Sequence, residues 1–429
     1  MDKREIDLTN KIGYRDIFAQ KEFLKITIAN IISRFGDSID AIAFTWLVYS
    51  VTGSASWSAI IYAANLLPTI IVQPLAGPLA EKLNQKMLLI LSDITRGTMV
   101  IILAVCYLTN TINPALLLSF TLIISLAEAF ALPADAALLP KVLDKKYYEF
   151  GLSFRALSTI VMQLAGTAAA GIIIGIFGIG AAILVDAVTF GLSALITAFI
   201  KIPVTNKEFP KKENVPVNKY KVYISDLKEG FSYIGSNILL RNYCILAALI
   251  NAIFVPINSL LGPFVSDVLG QGSELLSAIG ISFMIGTGIG SFLFPYMAEK
   301  LSVKRMTIYG GWGISVLYAC LTAGNFFKEK VLLVYAITGI CCILFGLLVS
   351  LLSASLSVSF VKSVSPDHMA RAHSIMNAGC LAVSPVTSLL ISGLVIFIPV
   401  REIYWVCSII CAIMFAMVGL LKVKLETEE

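Results

Sequence analysis

Long apolar stretches recur along nearly the whole chain and decide what it can fold into. The first runs from about Phe23 to Val51, which at 1.5 Å per residue is long enough to cross a hydrocarbon core of roughly 30 Å. Residues are 58% hydrophobic and only 14% charged, whereas soluble proteins carry roughly 25% charged residues. The composition therefore excludes a soluble globular protein and predicts an all-α integral membrane protein.

The apolar stretches predict twelve membrane-spanning helices in two sets of six. The predicted spans are 23–51, 54–80, 87–109, 114–140, 151–175, 180–202, 240–265, 275–298, 306–325, 331–360, 371–399 and 403–421. One long polar, lysine-rich segment interrupts them. The chain is therefore divided into an N-terminal segment (1–22), a first half (23–202), a linker (203–239), a second half (240–423) and a tail (424–429).

Lysine and arginine occur mainly in alternate connections between the spans. The basic connections are the N-terminal segment, 81–86, 141–146, the linker, 300–305 and the tail, whereas the other side carries only Lys328, Lys330 and Arg401. By the positive-inside rule, both termini and the linker lie in the cytoplasm. We expect a multi-pass protein of the bacterial cytoplasmic (inner) membrane.

The first span carries charged residues near its middle. Asp37 and Asp40 lie one helical turn apart on one face, with Arg34 one turn earlier. Burying such charges costs roughly 2.5–3.5 kcal/mol each on insertion scales, so they must face a partner or a wet cavity. Two interpretations stay open: the aspartates line the cavity of a transporter, or Arg34 neutralises Asp37 in a purely structural ion pair.

Other polar residues also lie inside predicted spans. Glu128 has no basic neighbour one turn away on its own helix, and an unpaired carboxyl in low dielectric suits reversible protonation. Asp135 is expected to pair with Arg155 or a loop lysine, and Asp186 is expected to be structural. The neutral residues at cavity depth either join helices or contact a ligand; they include Gln163, Asn251, Asn258 and Asn377.

An internal repeat and a sequence motif point to a known family. The tetrapeptide at 80–83 recurs at 298–301, in both cases after the second span of a half. The segment 77–86 resembles the signature loop of the major facilitator superfamily, with Glu81 in place of the usual aspartate and Lys82 in place of arginine. The segments 130–140, 186–190, 226–230 and 255–259 resemble the branch that contains macrolide-efflux proteins and the enterobactin exporter.

This resemblance implies the major facilitator fold, with two six-helix halves around a central cavity. It also implies that the signature loop latches the cytoplasmic gate, which opens and closes in alternating access. The expected gate residues are Gly77, Glu81, Lys82, Lys86, Asp93 and Arg96. Arg96 is the expected local partner of Glu81.

Together these observations predict a proton-coupled exporter of a small amphipathic molecule, either a drug of the macrolide type or a siderophore. Import of a siderophore or nutrient, and lysophospholipid transport, remain alternatives. We expect no cofactor or metal, no nucleic-acid partner and a monomer driven by the proton gradient. The histidines, His368 and His373, have no metal-ligand pattern nearby, and no nucleophile or nucleotide-binding motif appears, so an enzyme is not expected.

Overall fold

The computed structural model describes residues 17–202, 232–364, 369–421 and 423–425. Twelve long helices occupy most of these residues. They are α1 Lys21–Thr52, α2 Ala55–Lys82, α3 Gln85–Leu108, α4 Pro114–Val142, α5 Tyr148–Phe177, α6 Ile179–Ala198, α7 Ile238–Pro263, α8 Ser273–Lys300, α9 Val303–Ala323, α10 Val331–Ser363, α11 Met369–Leu394 and α12 Val400–Leu420. Most of the predicted linker lies outside the described residues.

Small polar residues and glycine mark where the helices begin and end. The Asn84 and Asn113 side chains cap α3 and α4, because each accepts a hydrogen bond from a backbone N–H in the first turn. Pro114 follows at the first helical position of α4, where its missing N–H costs nothing. Gly53 ends α1 in the left-handed conformation, with φ of 59°.

Ten of the helices are long and apolar enough to cross a membrane, by length and composition. The other two are α1 and α11. The middle of α1 carries Arg34, Asp37 and Asp40, which lowers its hydropathy, and the apolar part of α11 is the shorter stretch Gly379–Leu394. All twelve helices nevertheless lie close to the predicted spans, and the differences are a few residues at the ends.

The helices pack as two bundles, α1–α6 and α7–α12, which meet through α2 with α7 and α11 and through α5 with α8. Each bundle has a buried apolar core, formed around Leu47 and Leu103 in the first and around Phe345 and Phe415 in the second. Glycines allow very close helix contacts. A Cβ on Gly286 of α8 would lie 2.8 Å from the carbonyl carbon of Ile343 in α10.

The two bundles are hydrogen-bonded to each other at one end, which we call the Gly53 end because it contains the α1–α2 connection. The Tyr49 hydroxyl donates to the Asp267 carboxylate, and Ser56 Oγ donates to the Ser392 carbonyl over 2.8 Å. Asp267 belongs to a π-helical turn, Phe264–Val268, that follows α7. At the same end, Ser388 Oγ donates to the Ala59 carbonyl over 2.7 Å. The bundles are therefore closed against each other at the Gly53 end.

Candidate functional site

Seven ionisable side chains of the first bundle form one group near the middle of the helices, which we call the acidic cluster. It contains five carboxyls and two guanidinium groups: Arg34, Asp37 and Asp40 of α1, Asp93 and Arg96 of α3, Glu128 of α4 and Asp186 of α6. Arg96 lies at its centre, because it interacts electrostatically with Asp37, Glu128, Asp186 and Asp93. Four separate helices thus contribute to a single site.

The strongest contact in the acidic cluster joins α3 to α1. Arg96 Nη2 donates to Asp37 Oδ1 over 2.6 Å, and Arg34 Nη1 lies 3.4 Å from Asp37 Oδ2. Arg96 is only 8% exposed, and its guanidinium lies 4.2 Å from the ring centroid of Phe190 in α6. This cation–π contact and the ion pair hold Arg96 between three helices. The Arg96 Nε is buried and has no hydrogen-bond partner in the described part of the chain.

The remaining carboxyls are less well paired. Asp93 accepts a hydrogen bond from Ser193 Oγ over 2.7 Å. Asp40 Oδ1 is buried and has no hydrogen-bond partner among the described residues. Asp186 is 1% exposed, and Thr189 Oγ1, 3.4 Å away, is the side-chain partner that the structure gives it.

The charge balance determines what this arrangement can do chemically. With every carboxyl ionised, five negative charges would face two positive ones. Uncompensated charge is expensive in low dielectric, so such groups neutralise by taking up protons. The acidic cluster is therefore suited to binding and releasing protons. Among the described residues, no three histidine, cysteine or acidic side chains are arranged to hold a metal ion.

The expected ion pair between Arg34 and Asp37 is present, but it is the longer of the two contacts that Asp37 makes. Asp135, by contrast, pairs with Arg155 over 2.5 Å, which is one of the two partners expected from the sequence. Glu128 lacks a basic neighbour one turn away on its own helix, as expected, but it interacts electrostatically with Arg96 on α3. Spacing along a single helix does not reveal such contacts.

The expected cytoplasmic gate is tested only in part. Gly77, Glu81 and Lys82 lie in α2, but their side chains are outside the described part of the chain. Arg96 contacts Asp37, whereas we expected it beside Glu81, so in this conformation it belongs to the acidic cluster. Lys86 Nζ donates to the carbonyls of Ala198 and Ile200 at the end of α6, over 2.6 and 2.8 Å.

The neutral polar residues at cavity depth make different contacts. Asn251 donates to the Ala247 carbonyl of its own helix over 2.9 Å. Asn258 of α7 interacts with Tyr62 of α2, across the interface between the two bundles. Gln163 is half-buried in α5, and the Asn377 side chain lies outside the described residues. Asn258 is therefore a candidate for contact with a ligand between the bundles.

Sequence reasoning missed the part that Asp93, Arg96 and Asp186 play in the acidic cluster. Asp93 and Arg96 were expected at the gate, because they lie close to the signature loop in sequence, and Asp186 was expected to be structural, because it lies closer to a helix end. Their position within the predicted spans could have revealed it. Arg96 is the twelfth residue of α3 and Asp186 the eighth of α6, so both lie well inside their spans.

Comparison with known proteins identifies the family of this chain. The family sequence model described as Major Facilitator Superfamily matches residues 26–380 and 244–429. The chain is 21% identical to macrolide efflux protein A of Streptococcus pyogenes, over 82% of this chain and 84% of that protein. It is 25% identical to the multidrug efflux pump Tap of Mycobacterium tuberculosis, over 56% of this chain and 57% of that protein.

Solved structures show the same fold at low sequence identity. The nucleoside transporter NupG superimposes with a TM-score of 0.73 at 14% identity, over 93% of this chain and 99% of that one. The POT family transporter PepTSo gives a TM-score of 0.67 at 10% identity, over 94% and 98% of the two chains. These likenesses confirm the predicted fold of two six-helix bundles.

Proposed function

This chain belongs to the Major Facilitator Superfamily, and on that premise we propose that it is a proton-coupled secondary active transporter. It exports a small amphipathic organic molecule, of the macrolide-drug or siderophore type, and works by alternating access. The proton gradient supplies the energy. The proposed location is the bacterial cytoplasmic membrane, with both termini and the linker in the cytoplasm.

The observation that carries the proposal is the acidic cluster. Asp40 and Glu128 are carboxyls near the middle of membrane-spanning helices, next to a guanidinium that already has a close partner in Asp37. A proton that binds one of them removes a negative charge from the cluster and weakens its attraction for Arg96 or for a cationic substrate. Protonation and deprotonation would therefore shift the equilibrium between the inward-open and outward-open arrangements of the two bundles.

Alternating access is supported by the contacts between the bundles. Under the positive-inside rule the Gly53 end faces outward. The hydrogen bonds from Tyr49 to Asp267 and from Ser56 to Ser392 then close the outer side. We propose that these contacts break when the transporter opens outward, and that Glu81 and Lys82 take part in closing the cytoplasmic side.

Export is supported by the names of two relatives, a macrolide efflux protein and a multidrug efflux pump. Amphipathic substrates also suit the second bundle, whose described acidic residues lie at helix ends or in connections: Asp267, Glu274, Glu299, Glu329 and Glu402. The second bundle therefore offers an apolar and hydroxyl-bearing surface, and the first bundle offers the charges.

The experiment is efflux of a labelled probe from cells that carry the gene, with a macrolide and a catechol siderophore as separate probes. We expect efflux of one probe to stop when a protonophore collapses the proton gradient. Efflux of a transported probe that continues undiminished would refute the coupling.

A second arm uses the triple variant Asp37→Asn, Asp40→Asn, Glu128→Gln, which should lose uphill transport. Glu402→Gln is the matched control, because Glu402 is an exposed carboxyl paired with Arg401. We expect this control to transport like the unmodified protein. Uphill transport by the triple variant would contradict the assigned role of the acidic cluster.

A further inference from the structure

Asp186 lies in the interior of the first bundle, against the backbone of α1. Its side chain faces Gly36, because a Cβ on Gly36 would lie 2.5 Å from Asp186 Oδ1. Only glycine leaves room at this position of α1. The carboxyl therefore occupies a slot between α1 and α6, beside Gly36, which directly precedes Asp37 and lies one helical turn before Asp40.

The slot does not compensate a negative charge on Asp186. The Thr189 hydroxyl, 3.4 Å from Oδ1, donates its better hydrogen bond to the Asp186 backbone carbonyl, at 2.7 Å. Within the described residues, no lysine or arginine lies within ion-pair distance of Asp186. An ionised carboxylate with a single weak hydroxyl partner is costly in such a place.

The charged groups facing Asp186 come from the helices packed against α6. From α1, Asp40 and Asp37 act on it, and from α3, Arg96 does. On α5 the described cation is Arg155, which Asp135 already engages over 2.5 Å. Asp186 thus has two acidic neighbours and shares a single nearby cation with Asp37.

Two buried polar atoms near Asp186 lack hydrogen-bond partners among the described residues. In the part of the chain that the structure describes, Asp40 Oδ1 is a buried acceptor without a donor, and Arg96 Nε is a buried donor without an acceptor. A proton on Asp40 or Asp186 turns a carboxylate oxygen into an O–H donor and removes one of the negative charges that act on each other. When that proton leaves, Arg96 attracts the new carboxylate charge, because it acts electrostatically on both carboxyls.

We propose that Asp186 is a proton carrier of the transport cycle, acting with Asp40 across the α1–α6 interface. A proton from the outer solution binds a carboxylate oxygen of this pair, forming the O–H bond of a carboxylic acid. It leaves toward the cytoplasm when that bond breaks and Arg96 compensates the carboxylate. The inference rests on the proposed proton coupling and adds a residue on α6 that the sequence had assigned to structure.

The rival explanation is a permanently neutral, structural Asp186, and Asp186→Asn separates the two. Asparagine has nearly the shape of a neutral aspartic acid and keeps a hydrogen-bond donor, so it preserves a structural role. It abolishes proton exchange. Asp186→Glu retains a titratable carboxyl, and Glu402→Gln serves as the neutralisation control on the surface.

The first readout is infrared difference spectroscopy of the purified full-length protein in lipid vesicles between about pH 5 and pH 9, the range in which perturbed carboxyls titrate. It needs no substrate. We expect a carboxylic C=O band that appears on acidification in the unmodified protein, is missing in Asp186→Asn and is shifted in Asp186→Glu. A spectrum of Asp186→Asn with every titrating band intact would overturn the inference.

The second readout is transport of the probe that the efflux experiment identifies. Asp186→Asn should lose accumulation driven by a pH gradient yet keep exchange of labelled for unlabelled probe, which needs no net proton movement. Full gradient-driven accumulation would overturn the inference. If the unmodified protein itself ignores the gradient, the proposed proton coupling fails, and the infrared readout still decides whether Asp186 titrates.

Discussion

The contact between Arg96 and Asp37 makes a quantitative prediction about stability. Replacing Arg96 by methionine keeps most of the side-chain volume but leaves Asp37 with only Arg34, at 3.4 Å instead of 2.6 Å. Breaking a buried ion pair from one side costs about 3–5 kcal/mol, because the other charge is left uncompensated. The Asp37 side chain is 20% exposed and still has Arg34 nearby, so we expect a loss of stability at the low end of this range, about 3 kcal/mol.

The measurement is a double-mutant cycle of Arg96→Met, Asp37→Asn and the double variant, with unfolding free energies determined in bicelles. Removing both partners also removes the stranded charge, so the double variant should be more stable than the sum of the single effects predicts. We expect a coupling free energy of about 2–3 kcal/mol. The loss of the cation–π contact with Phe190 contributes equally to Arg96→Met and to the double variant, so it cancels in the cycle.

Arg401 and Glu402 provide the control pair. Their side chains are 46% and 43% exposed, so the same cycle should give less than about 1 kcal/mol. A coupling free energy near zero for Arg96 and Asp37 would refute the argument, because it would mean that the two groups do not depend on each other in the membrane.

Three further predictions concern packing and gating. Gly286→Ala should destabilise the second bundle by about 1–3 kcal/mol, because the added Cβ would overlap the α10 backbone. Gly288→Ala is the control and should not destabilise it, because no other heavy atom lies within 4 Å of the added Cβ. Thermal unfolding of the two variants measures the difference. Tyr49→Phe removes the hydroxyl that donates to Asp267, so a spin-label distance between α1 and α7 at the Gly53 end should lengthen; an unchanged distance would contradict the closing role. Glu81→Ala should abolish transport while the protein stays folded by size-exclusion chromatography, and full transport would remove the latch from the mechanism.

The fold was predictable from sequence because a lipid environment leaves few choices. A stretch of some twenty apolar residues has to form a helix in the membrane, where every backbone polar group must be paired within the chain. Caps such as Asn84 and Asn113 and the glycine after α1 then set the ends within a few residues. The repeat at 80–83 and 298–301 indicated the two-fold organisation.

The acidic cluster was only half predictable. Arg34, Asp37 and Asp40 follow one another on a single helix, so their proximity can be read from spacing. The contact of Arg96 with Asp37 depends on how α1 and α3 both pack against α6, and no spacing along the chain contains that information. The slot for Asp186 likewise depends on Gly36, and an isolated glycine in an apolar span gives no sign of which helix will approach it.

The distribution of buried polar groups implies a division of labour between the bundles. In the second bundle, the buried polar groups are mainly hydroxyls. Some join helices, as where Ser315 Oγ donates to the Ser408 carbonyl over 2.8 Å. Others have no hydrogen-bond partner among the described residues, such as the Tyr404 hydroxyl, whose ring stacks on Phe264 at 4.3 Å. The described carboxyls that lie well inside the spans belong instead to the first bundle, in and near the acidic cluster around Arg96. Under the proposed function, a protonation event acts on the first bundle, and we expect the second bundle to contribute the surface that selects the substrate. Substitutions that change the substrate should then fall mainly in the second bundle and leave the dependence on the proton gradient unchanged.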